Sequence, residues 1–201
     1  MKISILIPTF NNLSYLKFFL NSLKKNSLFK HEIVIHVNDG SDGTLDFVKK
    51  SNFKFTHSKE NIGLCSSMNN AYKLSTSDFL LYAHDDMYFC KNWDKYLIDE
   101  INKQKNNFYY LSGTNVSTRF GLINYNCGDT LENFDENKFL KFCIDDDTPD
   151  LQSSHWAPHL IHRELWDKIG GFSEEFNPGD GSDPDFCMKL WLENVRIFKG
   201  I

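Results

Sequence analysis

Short apolar runs alternate with segments of helical periodicity through the first half of the chain. The runs are rich in β-branched and aromatic residues and are bounded by turn residues, as expected of buried strands. They cover Ile3–Ile7, Glu32–Val37, Phe53–His57, Phe79–Ala83 and Phe108–Leu111. The segments between them predict helices over 13–23, 44–50, 64–72 and 92–105. This alternation predicts an α/β fold with a central, mainly parallel sheet of right-handed βαβ units flanked by helices.

The pattern is less regular after residue 115. Residues 115–150 hold many Asn and Asp, together with Gly121 and Gly128, and predict a long connection with short elements. Beyond it the sequence predicts a strand over His155–Ile161, helices over Arg163–Ile169 and Pro184–Asn194, and a strand over Val195–Ile201. Because no repeat or linker interrupts the chain, we expect a single domain over 1–201.

Composition narrows the possible partners. The chain has 201 residues, of which 41% are hydrophobic and 18 are Phe, so it can bury a sizeable core. Its net charge of −5 gives no electrostatic footprint for nucleic acid. The five cysteines contain no C-x-x-C pair and indicate reduced thiols in a cytoplasmic protein. No apolar run is long enough to span a membrane.

Asp85 and Asp86 directly follow the apolar run that ends near Ala83. The carboxyl end of a strand is where open α/β sheets bind their ligands. Two carboxylates there would repel each other and an anionic substrate, so the pair favours a hard divalent cation that bridges to a diphosphate. The alternative is that the two residues merely form the turn after the strand.

A second polar loop, 38–44, follows the second predicted strand. Asp39 can accept a hydrogen bond from a base or sugar, and Gly40 and Gly43 allow close backbone approach to a flat ligand. A plain turn remains the alternative reading. The loop lacks the Lys of a phosphate-binding P-loop, and G-x-G-x-x-G is absent, which disfavours a dinucleotide fold.

Six segments, in this order, resemble the family 2 glycosyltransferases of the GT-A fold. They are Ile7 to Asn12, Asn38 to Thr44, Asn61 to Gly63, His84 to Asp86, Ile169 to Phe172 and Ser182 to Phe186. The resemblance covers nearly the whole chain and implies a Rossmann-like βαβ sandwich. It also implies inverting transfer of a sugar from a nucleotide-sugar donor, with a UDP-sugar favoured, assisted by Mn²⁺ or Mg²⁺.

The resemblance also implies roles for individual residues. Residues 1–114 would bind the nucleotide sugar and 115–201 the acceptor. Asp85 would face the ribose, Asp86 would bind the metal, and Asp183 would be the general base with Asp185 as its backup. The nucleotide pocket would be formed by Pro8, Thr9, Asn11, Asp39, Gly40, Ser41, Asn61 and Gly63.

Three further features of the second half bear on the site and on the extent of the chain. Asp183 precedes Pro184, so the alternative reading of Asp183 is a helix N-cap. His155, Trp156 and His159 suit an acceptor site because aromatic faces stack on sugars and imidazoles offer hydrogen bonds. The predicted strand at 195–201 has no closing element, which favours a catalytic domain cut from a longer protein.

His84 departs from the family's pattern, because it occupies the first acidic position of the D-x-D form.

Two other functions remain as alternatives. One is a catalytically silent domain that binds nucleotide or glycan, and the other is a sugar nucleotidyltransferase, which the lack of Arg or Lys over 8–12 disfavours. By analogy with the family, the acceptor would be a saccharide or glycoconjugate in bacterial polysaccharide biosynthesis. Peripheral association with the inner face of the cytoplasmic membrane stays open.

Overall fold

The computed structural model describes residues 1–119, 121, 123–145 and 156–201. The elements up to residue 112 are β1 (Ile3–Phe10), α1 (Leu13–Asn26), β2 (Glu32–Asn38), α2 (Thr44–Lys49), β3 (Lys54–Ser58), α3 (Leu64–Tyr72), β4 (Phe79–Tyr82), α4 (Trp93–Lys103) and β5 (Tyr109–Ser112). Those that follow are β6 (Val116–Ser117), β7 (Ile123–Asn124), α5 (Glu136–Asp145), β8 (His159–His162), α6 (Arg163–Ile169), a 3-10 helix (Glu174–Phe176), α7 (Ser182–Leu192) and β9 (Ile197–Gly200). None of these described helices has the length and apolarity needed to cross a bilayer.

Seven of the described strands form one sheet in the order β3, β2, β1, β4, β8, β5, β9. The pairs of β1 with β2 and β4, of β2 with β3 and of β5 with β9 are parallel. Strand β8 lies antiparallel between β4 and β5. The predicted mainly parallel α/β sheet is therefore confirmed. Strand β8 comes from the second half of the chain, so both halves contribute to the same sheet.

Helices cover both faces of the sheet. Successive residues of a strand point to opposite faces. Ile5 of β1 belongs to the apolar cluster under α1 and α4, together with Phe19. Its neighbour Leu6 belongs to the cluster under α3, α6 and α7, together with Met68 and Phe186. Because both faces are buried, the central strands are apolar almost throughout, and their pattern is visible in the sequence.

Strand β1 continues past Pro8, where the sequence predicted its end. In a parallel ladder, the backbone N–H and C=O groups of successive residues point alternately to the two neighbouring strands. Those of Leu6 point toward β4, because the Leu6 carbonyl accepts from the Ala83 N–H at 3.2 Å. Pro8 therefore faces the β4 side after β4 has ended at Tyr82, and its missing N–H removes no ladder hydrogen bond. The extension carries Thr9 beyond the end of β4, beside the last residues of β2.

Several predicted boundaries in the second half also differ, and the strand predicted over 195–201 covers Ile197–Gly200. Strand β8 begins at His159, not at His155, which itself lies outside the described residues. Helix α7 begins at Ser182, before Pro184, because Gly181 serves as its N-cap with φ of 81°. Asp183 is therefore the second residue of the helix, and the N-cap reading of this residue was wrong.

Candidate functional site

Strands β1 and β4 hold Asp85 at their carboxyl ends. The Thr9 hydroxyl donates to Asp85 Oδ2, and Asn12 Nδ2 donates to Asp85 Oδ1 at 3.1 Å. Burial raises the pKa of Asp85, and the two donors oppose that shift. The carboxylate is thus held by two side chains, beyond the carboxyl ends of β1 and β4. Sequence reasoning missed Asn12, although it lies in the segment that carries the resemblance.

Asn11 and Asp39 form a strained pair in the turns after β1 and β2. Both have left-handed backbones, with φ of 46° and 56°, which non-glycine residues adopt rarely and often at functional sites. Asn11 Nδ2 donates to Asp39 Oδ2 at 2.8 Å, and the Gly40 N–H donates to Asn11 Oδ1 at 2.9 Å. The bond from Asn11 lowers the pKa of Asp39, with further help from Ser41. The pair presents a half-buried anionic acceptor.

A cavity of about 350 Å³ adjoins this carboxylate and is lined by Asp39, Gly40, Ser41, Gly43, Leu45, Asp46, His57 and Lys59. A Cβ at Gly40 would lie 2.7 Å from Leu45 Cβ, so a larger residue would displace the start of α2. Glycine at this position lets the loop pack closely while Asp39 stays at the cavity wall. The volume is at the lower end of the range for small-molecule sites.

Asn61 and Gly63 shape the turn before α3. The Gly63 N–H donates to Asn61 Oδ1 at 3.0 Å. On the other side, Asn177 Oδ1 accepts from the Cys65 N–H at 3.1 Å and so satisfies a free donor at the start of the helix. Sequence reasoning missed Asn177, because its partners lie more than a hundred positions earlier in the chain. The contact ties the predicted nucleotide half to the predicted acceptor half.

Gly63→Ala is expected to destabilise the fold by about 3 kcal/mol or more. Gly63 has φ of 83° and ψ of 169°, a conformation that strongly favours glycine, and an added Cβ would lie 2.3 Å from Asn177 Oδ1. Gly170→Ala is the matched control. Gly170 has φ of 72° but no atom within 4 Å of the added Cβ, so we expect a loss of about 1 kcal/mol. Urea unfolding of both variants measures the difference, and equal losses would contradict the clash.

Asp86 follows Asp85 and is exposed. No described residue donates a hydrogen bond to its carboxylate, so its oxygens are available to a ligand. Across the described ranges, no three His, Cys, Asp or Glu side chains are arranged to hold a metal ion by themselves. Mg²⁺ and similar hard cations are commonly bound by one or two carboxylates together with substrate phosphates and water. A single free carboxylate fits that mode of binding.

Asp183 projects from the first turn of α7 toward strand β8. Its Oδ1 lies 3.7 Å from His159 Nε2, and its side chain is 17% exposed. Asp185, two residues further, lies about 200° around the helix axis. There it accepts a hydrogen bond from the Ser173 hydroxyl at 2.6 Å. The two acids therefore face different surroundings.

The acids from both halves of the chain act on the buried Tyr82 phenol. Burial raises its pKa well above the usual value, and the charges of Asp183, Asp86 and Asp85 raise it further, in that order. The Tyr82 hydroxyl also contacts His84 Nε2. Strand pairing sets Tyr82, at the end of β4, opposite His159, whose Nε2 lies 3.7 Å from Asp183 Oδ1, so the end of β4 and the start of α7 are neighbours. Nothing in the sequence marks Tyr82 beyond its place in an apolar strand.

The three residues predicted for the acceptor differ in their positions. Trp156 is 47% exposed, as a stacking surface requires. His159 is buried and lies behind Asp183, so it does not offer an open face to a sugar. His155 is outside the described residues.

Comparisons with known proteins agree with the fold. The sequence profile of glycosyl transferase family 2 matches residues 4–170. The structure of S. aureus TarS 1–349 aligns with a TM-score of 0.71 at 23% identity, covering 100% of this chain and 58% of that one. Its complex with UDP-GlcNAc aligns with a TM-score of 0.71 at 22% identity, covering 100% and 56%. No curated protein matches.

A mannosyltransferase from Pyrobaculum calidifontis, in complex with GDP-Man and Mn²⁺, gives a TM-score of 0.65 at 15% identity. Here 99% of this chain and 53% of that chain are covered. At these identities the structural matches establish the fold alone. The chain spans little more than half the length of these structures.

Proposed function

The chain belongs to glycosyl transferase family 2, as its motifs predicted, and we propose that it transfers a sugar from a UDP-sugar to a hydroxyl acceptor with inversion and with a divalent cation. The observation that supports the proposal is that strand pairing sets the end of β4, which Asp86 follows, beside His159, whose Nε2 lies 3.7 Å from Asp183 Oδ1. Asp86 would bind a cation on the donor diphosphate, and Asp183 would accept the proton of the attacking hydroxyl. Inverting transfer requires these two functions on opposite sides of one sugar.

The donor nucleotide would bind along the ends of β1, β2 and β4. The anionic Asp39 can accept a hydrogen bond from an N–H of the base, and Asn11 holds it in place. The fixed Asp85 carboxylate can accept from the ribose hydroxyls. A uracil ring carries one N–H donor and is small enough for the adjoining cavity. The structure of S. aureus TarS 1–349 in complex with UDP-GlcNAc, a structural neighbour, supports the same choice of nucleotide.

Asp86 would hold Mn²⁺ or Mg²⁺ on the donor, since its carboxylate is exposed and accepts no hydrogen bond from a described side chain or backbone group. The cation, when bound, offsets the charge that develops on the departing diphosphate. Because Asp86 is the single protein ligand in this proposal, cation and donor should bind together. The Mn²⁺ in the mannosyltransferase structure is in keeping with this requirement.

Asp183 would act on the acceptor. Its carboxylate takes the proton of the attacking hydroxyl while the new bond to the anomeric carbon forms and the bond to the diphosphate oxygen breaks. The nucleoside diphosphate is the leaving group, and the configuration at the anomeric carbon inverts. The exposed Trp156 ring would stack on the acceptor sugar. Acceptors would be saccharides or glycoconjugates, and we place the reaction in the cytoplasm or at the inner membrane face.

A nucleotide-sugar panel tests the proposal. The chain is incubated with UDP- and GDP-sugars, with Mn²⁺ or with chelator, and the released nucleoside diphosphate is measured. We expect release from one UDP-sugar that requires the cation and is lost in Asp39→Ala. Binding of UDP without turnover of any donor would favour the silent domain. Release of pyrophosphate from a nucleoside triphosphate and a sugar phosphate would favour the nucleotidyltransferase.

A further inference from the structure

An aromatic cage surrounds the imidazole of His159. The ring centroids of Tyr82, Tyr110, Phe186 and Phe172 lie 4.9, 5.0, 5.3 and 6.2 Å from the imidazole. The side chain is 2% exposed. Close packing on several sides holds an aromatic ring in one orientation. Nε2 therefore has a fixed direction, toward the start of α7.

His159 Nε2 and Asp183 Oδ1 form an incomplete contact. They are 3.7 Å apart, and both atoms are buried without a hydrogen-bond partner among the described residues. Leaving a buried donor or acceptor unpaired is unfavourable, so a bond between the two atoms would relieve both. A small rotation of the Asp183 side chain would bring the two atoms into hydrogen-bond range. Catalytic hydrogen bonds are often long before substrate binds and shorten in the complex.

We infer that His159 is a positioning residue for Asp183, donating from Nε2 to Oδ1 so that Oδ2 remains as the proton acceptor for the attacking hydroxyl. This inference rests on the proposed role of Asp183. Oδ1 is buried although the side chain as a whole is 17% exposed, so the exposed part lies on the side away from His159. His159 itself does not contact the acceptor.

The surroundings keep His159 neutral and able to donate. Burial lowers its pKa, and the nearby Asp183 only partly offsets that effect. The neutral imidazole must carry its proton on Nε2 to donate to the carboxylate. His84 acts from the end of β4 and also lowers the pKa of His159. Burial raises the pKa values of the other groups around the pair, which stay uncharged at neutral pH: Tyr82 of β4, Tyr110 of β5, Cys65 of α3 and Cys187 of α7.

The contact can be tested without a substrate. In the ¹⁵N-labelled chain at pH 7, long-range ¹H–¹⁵N correlation spectra report the tautomer of each histidine, and His159→Gln identifies the His159 signals. We expect a neutral ring with its proton on Nε2, whose shifts change in Asp183→Ala and stay unchanged in the control Asp185→Ala. A proton on Nδ1, or signals insensitive to Asp183→Ala, would overturn the inference.

The catalytic effect is tested with three replacements of His159, using Mn²⁺-dependent release of UDP from UDP-GlcNAc as the probe reaction. Gln places an N–H donor near the position of Nε2, Asn places one near Nδ1, and Phe keeps the volume without a donor. We expect kcat to fall about 10²-fold in His159→Phe and His159→Asn, because misplacing a catalytic group by about 1 Å has an effect of this size. His159→Gln should retain kcat within about fivefold, and the Kd for UDP should stay within about twofold in all three.

Failure of this inference differs from failure of the proposed function. If Asp183→Asn stays active, the proposed base is wrong. If Asp183→Asn is inactive but all three His159 variants keep normal kcat, His159 has no positioning role. Equal losses in all three variants, in step with their melting temperatures, would show a structural role instead. Should the probe donor not react, the tautomer and its response to Asp183→Ala decide the contact.

Discussion

Asp183→Asn is expected to lower sugar transfer about 10³-fold while leaving the affinity for UDP unchanged, because an amide cannot accept the proton of the attacking hydroxyl. The replacement has the same size and keeps an oxygen near His159. It also leaves Gly181 as the N-cap of α7, so the helix should start at the same residue. Steady-state kinetics measures kcat, and titration calorimetry measures the Kd for UDP in the presence of Mn²⁺.

Asp185→Asn is the matched control. It makes the same chemical change two positions along α7, on the side that contacts Ser173, and should alter kcat by no more than about twofold. The control also measures any effect of lowering the negative charge in the first turn of the helix. Near-normal transfer by Asp183→Asn, or a larger loss in Asp185→Asn, would remove Asp183 from the reaction.

Asp86→Ala is expected to abolish the gain in UDP affinity that Mn²⁺ provides, a loss of about 10²-fold or more, since a metal contact to phosphate contributes several kcal/mol. The side chain is exposed, so the fold should tolerate its removal. Calorimetric titration of UDP into both proteins, with Mn²⁺ and then with chelator, isolates the metal-dependent part. In chelator the two proteins should bind UDP equally.

Asp78→Ala controls for charge. Asp78 is exposed and directly precedes β4, whereas Asp86 lies beyond the carboxyl end of the same strand. Its replacement changes the net charge by the same amount at the opposite edge of the sheet, and UDP affinity should not respond to it. An Asp86→Ala variant that keeps the full effect of Mn²⁺ would show that other groups hold the cation.

The sequence by itself determined the central strands and the acids at their carboxyl ends. Strands buried on both faces must be apolar along their length, which makes Ile3–Ile7 and Phe79–Ala83 visible as runs. Turn residues follow both of the strands that Asp39 and Asp85 succeed, so these two acids were predicted to lie at one edge of the sheet. These are local properties of the chain, and the structure places both acids as expected.

The tertiary structure alone decided how the second half meets the first. Strand β8 inserts antiparallel between β4 and β5, and its short apolar pattern carries no information about its neighbours. The same insertion places His159 behind Asp183. From the sequence alone, His159 had been assigned to the acceptor surface. Asn177 meets the start of α3 in a similar way. Such contacts join residues far apart in the chain, and they arise from packing geometry that no local pattern of residues encodes.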